Sequence, residues 1–416
     1  MLLIFYILLK RVVIVPICVI SFLIAHLCER YDISTAVLKF TIDEVGGLFI
    51  KTIQFISSHK EISGMKNYSY YEQVLDNFYD NGACIDIYLV RSILKKHYIT
   101  PDWIEDKPLG SGSIAQVHKG QWLGKSVVFK IQKPSARLEF MLDLGFIKLL
   151  LYLITLWIGE IPSTPFLHEF VDCVRREFDF NLEARSMLKG KVWLEEFSEH
   201  IVVPMVRAHA TRVLVMDYVE HIKIDGHDNN KCSILCRAFA KMILRHHFVH
   251  TDPHIGNICL TPNRQQFVIF DWGQHEILSS TTVQGLACII RSDNVDMKCL
   301  RQGMVLCGID GQNISIKHIM LVLDFFNHNN SVNYDYEKSW NLLRELVQHT
   351  AERQRGHRNP FKARSRELAL ILKTHDLLDV IMKSMNVPDP LRHQLFPEEM
   401  MRMSRECYQK LPDVAE

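Results

Sequence analysis

Neither sign of charge is in excess: 48 Lys and Arg stand against 47 Asp and Glu. The resulting net charge of +1 gives no global pull toward nucleic acid or anionic surfaces, and no nucleic-acid partner is expected. The 11 cysteines are odd in number, contain no C-x-x-C pair and follow no regular spacing. That argues against a disulfide framework and for reduced thiols in a non-secretory compartment. No internal repeat or low-complexity tract is apparent, so nothing points to a repeat architecture. What is present is an ordinary folded composition, 48% hydrophobic and far from disorder. A length of 416 residues accommodates a two-lobed core with an extension, because single cores rarely exceed roughly 250–300 residues.

The first 28 residues are almost wholly apolar, interrupted by Lys10 and Arg11, and Val12 to Cys28 is a run of 17 without charge. This length lies near the lower limit for a bilayer core of about 30 Å. A membrane anchor is the expected reading, with Lys10 and Arg11 at one interface. A cleaved signal fits less well, because Ala25-His-Leu-Cys28 is a poor small-residue cleavage site. A mitochondrial presequence would need arginines and an amphipathic face, which this segment lacks. Residues 29–105 read as a helical extension, with apolar residues at 3–4 spacing in Ile33–Phe40, Val45–Ile56, Tyr70–Tyr79 and Ile85–Tyr98. Short β-like segments run from Lys107 to Ile131, with a turn at Gly124-Lys125. Phe146 to Ile158 reads as a buried or interfacial helix, too short to span a bilayer. Thr211–Tyr218 reads as a strand leading to a hinge near Asp217–Val219, and the chain after Asp271 reads as helical to its end. Six Lys and Arg between Arg353 and Arg366 are read as a solvated surface, with a phosphate or lipid-headgroup patch as the alternative.

Chemistry enters through five pieces in a fixed order. Pro108-Leu-Gly-Ser-Gly-Ser-Ile-Ala-Gln-Val-His118 is a small-residue loop running into a strand, and Val127-Val-Phe-Lys130 is a β-branched run ending in a lysine. The carboxylates Glu177, Asp179 and Glu183 follow. Then come Phe248-Val-His-Thr-Asp-Pro-His-Ile-Gly-Asn257 and Val268-Ile-Phe-Asp-Trp-Gly273. A protein-kinase-like fold delivers its Gly-rich loop, ATP-binding lysine, partner glutamate, catalytic loop and metal-binding aspartate in this order. The order, rather than any one piece, carries the reading. The expected class is α+β: a two-lobed protein-kinase-like fold, with an antiparallel-sheet lobe over residues 106–220 and a helical lobe over 221–416. Residues 1–28 form the anchor segment and 29–105 the helical extension.

Phosphoryl chemistry with Mg2+ and ATP asks for positive charge and backbone donors on phosphate, oxygen ligands on the metal and a base near the nucleophile. Gly110, Ser111, Gly112 and Ser113 offer close backbone approach and hydroxyl donors. Lys130 suits the α- and β-phosphates, with Glu183 as the acid that holds it. Asp252 would orient or deprotonate an acceptor hydroxyl. Asn257 and Asp271 supply hard oxygen ligands for Mg2+. His246, His247, His250 and His254 do not form the helical His-Glu-x-x-His pattern of a zinc site, and His250 reads as a structural hydrogen-bonder. Trp272 stands where kinases usually carry Phe. No A-P-E segment follows Asp271, and the loop reads His-Thr-Asp-Pro rather than His-Arg-Asp-Leu. A peptide-binding platform and control by activation-loop phosphorylation are therefore not expected.

These residues resemble the UbiB/ADCK (aarF-domain-containing) atypical kinase family over roughly residues 40–275. Gln116-Val-His118 matches its Q-V-H, Glu177 and Asp179 its E-x-D, and Glu183 its helix-C glutamate. The alanines of the family's loop are replaced by Gly110-Ser-Gly-Ser113. Its K-x-G-Q lid motif reads Lys51-Thr-Ile-Gln54, with Ile53 in place of glycine and His59 in place of the usual arginine. The resemblance implies that Lys51 and Gln54 reach the nucleotide phosphates, and that Ile53 holds the lid further out. It also implies ATP and Mg2+ as cofactors, and a kinase or ATPase associated with a mitochondrial, plastid or bacterial membrane. Its work would be ubiquinone (coenzyme Q) or other isoprenoid-lipid metabolism, with membrane lipid, a lipid or small-molecule acceptor and proteins of a quinone-biosynthetic complex as partners. A small-molecule kinase of the aminoglycoside or choline type shares His-x-Asp-x-x-x-x-Asn, and a nucleotide-regulated scaffold without turnover is a third reading. The E-x-D pair, Q-V-H and the Lys51/Gln54 extension favour the first.

Overall fold

The computed structural model describes residues 13–45, 84–145, 171, 174–226, 228–291, 297–309 and 360–407. Helices α1 (Val15–Leu27), α2 (Tyr31–Val45) and α3 (Ile87–Lys96) lead into strands β1 (Trp103–Ile104), β2 (Gly110–Ser111), β3 (Ala115–Trp122) and β4 (Lys125–Gln132). Helix α4 (Phe180–Trp193) is followed by β5 (Ile201–Val202), β6 (Val206–Ala210) and β7 (Val213–Asp217). Next come α5 (Asn229–His246), β8 (Phe248–His250), β9 (Ile258–Leu260), β10 (Phe267–Ile269) and β11 (His275–Ile277). Helices α6 (Ser280–Arg291), α7 (Met297–Leu306), α8 (Pro360–Ser384) and α9 (Asp389–Cys407) complete the order. The chain divides into two units, Met1–Arg185 with Met205–Tyr218, and Ser186–Pro204 with Val219–Glu416. Antiparallel sheet in one and mostly helix in the other make the class α+β.

The first unit is built on an antiparallel sheet of order β1-β3-β4-β7-β6, with β2 paired to β3. Trp122 pairs with Lys125, and the two residues between them, Leu123 and Gly124, take φ of 52° and 71°. Two successive positive φ values are what a type I′ hairpin turn requires. Val127, Phe129 and Ile131 of β4 and Val213 and Val215 of β7 bury against Val90 and Leu94, which stand four apart on one face of α3. Asp86 starts α3 by accepting the Tyr88 N–H at 2.7 Å. The buried residues of β3 are Gln116, His118 and Gly120 rather than aliphatics. A Cβ at Gly120 would lie 2.5 Å from the Trp103 carbonyl oxygen, so glycine lets β1 pass there.

Among the described residues no helix is long and apolar enough to cross a membrane. Within the apolar run, α1 has 13 residues, about 20 Å; a turn follows it at Cys28 and Glu29, and α2 packs back against it. A span by residues 13–28 is thereby not supported, and residues 1–12 lie outside the described residues. Ile17, Ile20 and Ile24 form an exposed stripe on α1.

In the second unit α5 is buried along most of its length and packs chiefly against α9. It ends at His247, whose φ of 52° is the left-handed C-terminal conformation. Helices α6 and α7 approach closely because a Cβ at Gly285 would meet the Gly303 carbonyl oxygen at 2.6 Å. The chain after Asp271 is not wholly helical, as expected above, but first forms β11. There His275, Glu276 and Ile277 pair antiparallel with His250, Val249 and Phe248. His275 is buried and its ring stacks on Phe248 with centroids 5.0 Å apart. Pairing and stacking together favour a strand where residue pattern alone suggested helix.

Candidate active site

In the first unit β4 carries Lys130 opposite Val117 and Leu214 of the neighbouring strands. Its Nζ donates to Glu183 Oε1 at 2.7 Å and Oε2 at 2.9 Å. The pair is shielded, with side-chain exposures of 15% and 4%. The Phe180 ring centroid lies 5.3 Å from the ammonium. Glu183 occupies the first turn of α4, where unpaired N–H groups favour a carboxylate. Asp179 starts that helix, accepting the Asn181 N–H on its side chain at 3.0 Å. The second acid of the E-x-D pair therefore caps the helix that presents Glu183.

Gly110 and Ser111 form β2 and Gly112 and Ser113 enter the turn of the β2–β3 hairpin, where Ser111 pairs with Gln116 and the Gly112 N–H donates to Ala115 O at 2.9 Å. Neither glycine has a positive φ. A Cβ at Gly110 would meet nothing within 4 Å, and one at Gly112 only the Ala115 carbonyl oxygen at 3.8 Å. Among the described residues, packing does not require glycine at either position. Gln116 and His118 point away from solvent and work on the chain itself. Gln116 Oε1 accepts the Ile85 N–H at 2.8 Å, and its Nε2 donates to Ile85 O at 3.1 Å and to His118 Nε2 at 2.7 Å. His118 Nδ1–H then donates to Glu105 O at 2.8 Å. The ring is therefore neutral, and burial lowers its pKa from the ordinary value, against the raising effect of the Glu105 carbonyl. Q-V-H thus clamps the end of the helical extension to β3.

In the second unit the loop between β8 and β9 is organised by His250. Its Nε2–H donates to Asp271 O at 3.0 Å, and its Nδ1 accepts the Asp252 N–H at 3.3 Å. That pattern needs neutral imidazole, and complete burial depresses the pKa to about 4. The Asp252 carbonyl accepts from His254 N at 2.9 Å and from Asn257 Nδ2 at 3.0 Å. Asn257 O accepts the Phe270 N–H at 2.8 Å, which fixes the approach of Asn257 to the residue before Asp271. Asp271 takes φ of 39° and its Oδ1 accepts the Gly273 N–H at 3.1 Å. His254 Nε2 stands 3.8 Å from Asp252 Oδ2. The histidines do not converge: His246 stacks on Trp193, centroids 4.7 Å apart, while His250 lies against Trp272 at 5.3 Å.

Asp252, Asn257 and Asp271 are thus brought together in one unit, as are Lys130, Glu183 and the Gly110–Ser113 turn in the other. Lys51, Gln54 and Ile53 lie outside the described residues, as do Phe146–Ile158 and residues 353–359 of the basic run. With its Nδ2 donating to the Asp252 carbonyl, Asn257 has no partner on Oδ1 among the described residues, and its backbone meets the residue before Asp271. One amide and one carboxylate oxygen suit Mg2+, which ordinarily keeps several waters and phosphate oxygens in its octahedron. No group of three or more His, Cys, Asp or Glu among the described residues could hold a metal. From these residues Mg2+ would therefore draw the rest of its shell from phosphate and water.

Three supporting residues escaped the sequence reading. Gly190 of α4 faces Trp272, and its signal was a glycine inside a helical segment. Thr374 of α8 lies with Oγ1 3.0 Å from His250 O and 2.9 Å from Leu370 O. Lys133, three residues beyond Lys130, is buried with its Nζ donating to Gly112 O. Nothing in the local sequence distinguishes it from a solvated lysine.

The family description that matches this chain is the ABC1 atypical kinase-like domain, over residues 96–302. The chain is similar to abkB, a probable serine/threonine-protein kinase of Dictyostelium discoideum, at 27% identity over 370 residues, 80% of this chain and 51% of that protein. It is 27% identical over 193 residues to AarF domain-containing protein kinase 1 of Xenopus tropicalis, 42% of this chain and 37% of that one. The chain thus spans about half, or less, of the length of these curated relatives. A solved complex of Rv3197 with erythromycin from Mycobacterium tuberculosis has 19% identity and a TM-score of 0.47, covering 88% of each chain.

Proposed function

Because this chain belongs to the ABC1 (AarF-domain, UbiB/ADCK) family of atypical kinases, we propose that it binds Mg-ATP and hydrolyses it or passes its terminal phosphate to a small or lipid acceptor. The observation that carries this reading is the shielded Lys130–Glu183 pair, bonded through both carboxylate oxygens. A lone buried ammonium is costly, and a carboxylate at a helix start keeps it charged and fixed in one rotamer. Such a lysine suits the α- and β-phosphates, and the backbone of the Gly110–Ser113 turn suits the rest of the chain of phosphates. Asn257 and Asp271 would hold Mg2+, which when bound offsets charge on the β- and γ-phosphates. Asp252, half-buried and held at its backbone by His250, His254 and Asn257, would accept a proton from the attacking hydroxyl or water.

The acceptor we favour is an isoprenoid lipid or a quinone precursor, in ubiquinone or related metabolism, with action at a mitochondrial or other organelle membrane. What supports membrane association is the Ile17, Ile20 and Ile24 stripe, one exposed face of a helix without charge. The absence of an A-P-E segment argues against a peptide acceptor. The deciding experiment measures ATP hydrolysis and phosphate transfer by the purified chain, with and without lipid vesicles, beside Asp271→Asn. We expect Mg-dependent turnover raised by lipid in the wild type and lost in the variant. Equal Mg-ATP affinity and turnover in Asp271→Asn would sink the metal assignment, and phosphate transfer to small soluble alcohols would favour the aminoglycoside-type reading.

A further inference from the structure

Lys133 sits directly behind the Gly-rich turn. It follows β4 and its backbone N–H donates to Ile114 O at 2.9 Å, while its Nζ donates to Gly112 O at 2.5 Å. One residue thus grips the turn at two carbonyls, and the Gly112 N–H to Ala115 O bond at 2.9 Å closes the loop between them. The residue is only 7% exposed, an unusual place for an ammonium that touches no carboxylate among the described residues. Burial lowers its pKa, with the Cys84 and Glu139 charges opposing. A neutral donor would satisfy one carbonyl at smaller desolvation cost, so the charge itself calls for an explanation.

Peptide geometry supplies one. In a trans peptide the C=O of one residue and the N–H of the next point in opposite directions, and no cis bond occurs here. With the Gly112 carbonyl drawn inward to Lys133, the Ser113 N–H must face outward. Among the described residues that N–H has no hydrogen-bond partner. We infer that Lys133 is a positioning residue: it sets the Gly112–Ser113 peptide so that the Ser113 amide is presented to a nucleotide phosphate. It also keeps a positive charge under the turn, where a phosphate would feel it through protein rather than water. Lys130 and Lys133 then divide the work, one facing the ligand and the other shaping the backbone that meets it.

This inference rests on the Mg-ATP reading, and the test separates the two. Full-length wild type, Lys133→Met and Lys133→Arg are compared by calorimetry with Mg-ATP, Mg-ADP and adenosine. Amide exchange across residues 110–115 is followed in the same proteins without ligand. Lys133→Met should weaken Mg-ATP about tenfold or more, the scale of one charged hydrogen bond. Adenosine affinity should hold within about twofold, because it carries no phosphate. Lys133→Arg should recover most of the Mg-ATP loss, and exchange at the Gly112 amide should rise in Lys133→Met. Unchanged Mg-ATP affinity would overturn the inference, and so would an equal loss for adenosine. A wild type that binds no nucleotide would refute the Mg-ATP reading; unchanged protection at Gly112 in Lys133→Met would refute the clamp. If Lys133→Met does not fold, Lys133→Leu, which also removes the donor, is read by the same criteria.

Discussion

Gly190 lies against the benzene ring of Trp272 so closely that a Cβ on it would stand 2.2 Å from the indole. Trp272 is fully buried, its Nε1–H donates to Ile269 O at 3.3 Å, and it follows the candidate metal ligand Asp271. A larger ring than the usual Phe at this position is accommodated by removing a side chain from α4. Two sequence features that look unrelated, a glycine in a helix and a tryptophan after the aspartate, are one packing solution.

Replacing a helical glycine by alanine ordinarily stabilises by roughly 0.5–1 kcal/mol. Here the sign should invert. Gly190→Ala should destabilise by about 1–3 kcal/mol through overpacking, read as a lower denaturant midpoint. Adding Trp272→Phe should recover part of that loss, and strict additivity of the two changes would disprove the coupling.

Glu183→Ala removes the carboxylate that bonds Lys130 through both oxygens and leaves an ammonium largely shielded from water. Stability should fall by about 3–5 kcal/mol, and Mg-ATP affinity should fall with it. Lys130→Met should abolish nucleotide binding with a smaller loss of stability than Glu183→Ala. Parallel calorimetry and urea unfolding of the two variants check the order.

The neutral His250 makes stability depend on acid. Its folded pKa of about 4 lies below the ordinary value near 6.5, so between these limits the unfolded chain binds a proton that the folded chain does not. The stabilisation is fully present above about pH 6.5 and is lost as pH falls toward 4. His250→Asn should be less stable at neutral pH, with a pH slope shallower by up to about 1.4 kcal/mol per unit in that window. Urea unfolding between pH 7 and 5 measures it; an unchanged slope would show that His250 does not titrate as its surroundings demand.

Gln116→Ala should cost about 2–4 kcal/mol, because it strands both backbone groups of Ile85 and the acceptor nitrogen of His118. Exchange of the Ile85 amide should accelerate more than that of the β3–β4 ladder. Equal acceleration everywhere would mean a global rather than a local release.

Much of this was legible beforehand because backbone and charge leave strong local signatures. The β-branched run of Val127 to Lys130, the turn at Gly124 and the five-residue interval from Asp252 to Asn257 all describe interactions made by neighbours in sequence. The partnership of Lys130 with Glu183 spans 53 residues and was reachable only through the order of the motifs. Residues acting through distant packing were not legible. Gln116 reads as a polar strand residue until Ile85 lies over it, and β11 reads as the start of a helix until Phe248 is placed beside His275. The hydropathy of Val12 to Cys28 suggested a span, but it carries no information on the packing of α2 back against α1.

Helix α8 begins well past residue 302, where the ABC1 match stops. Yet Thr374 bonds the His250 carbonyl, and Glu367 accepts from both the backbone N–H and the hydroxyl of Ser279. A gene fragment trimmed to the matched boundary would lose this brace and open the buried rim of β8 to water. Poor expression or silence of such a fragment would report a missing strut, and the smallest length worth expressing in the search for activity runs through α9.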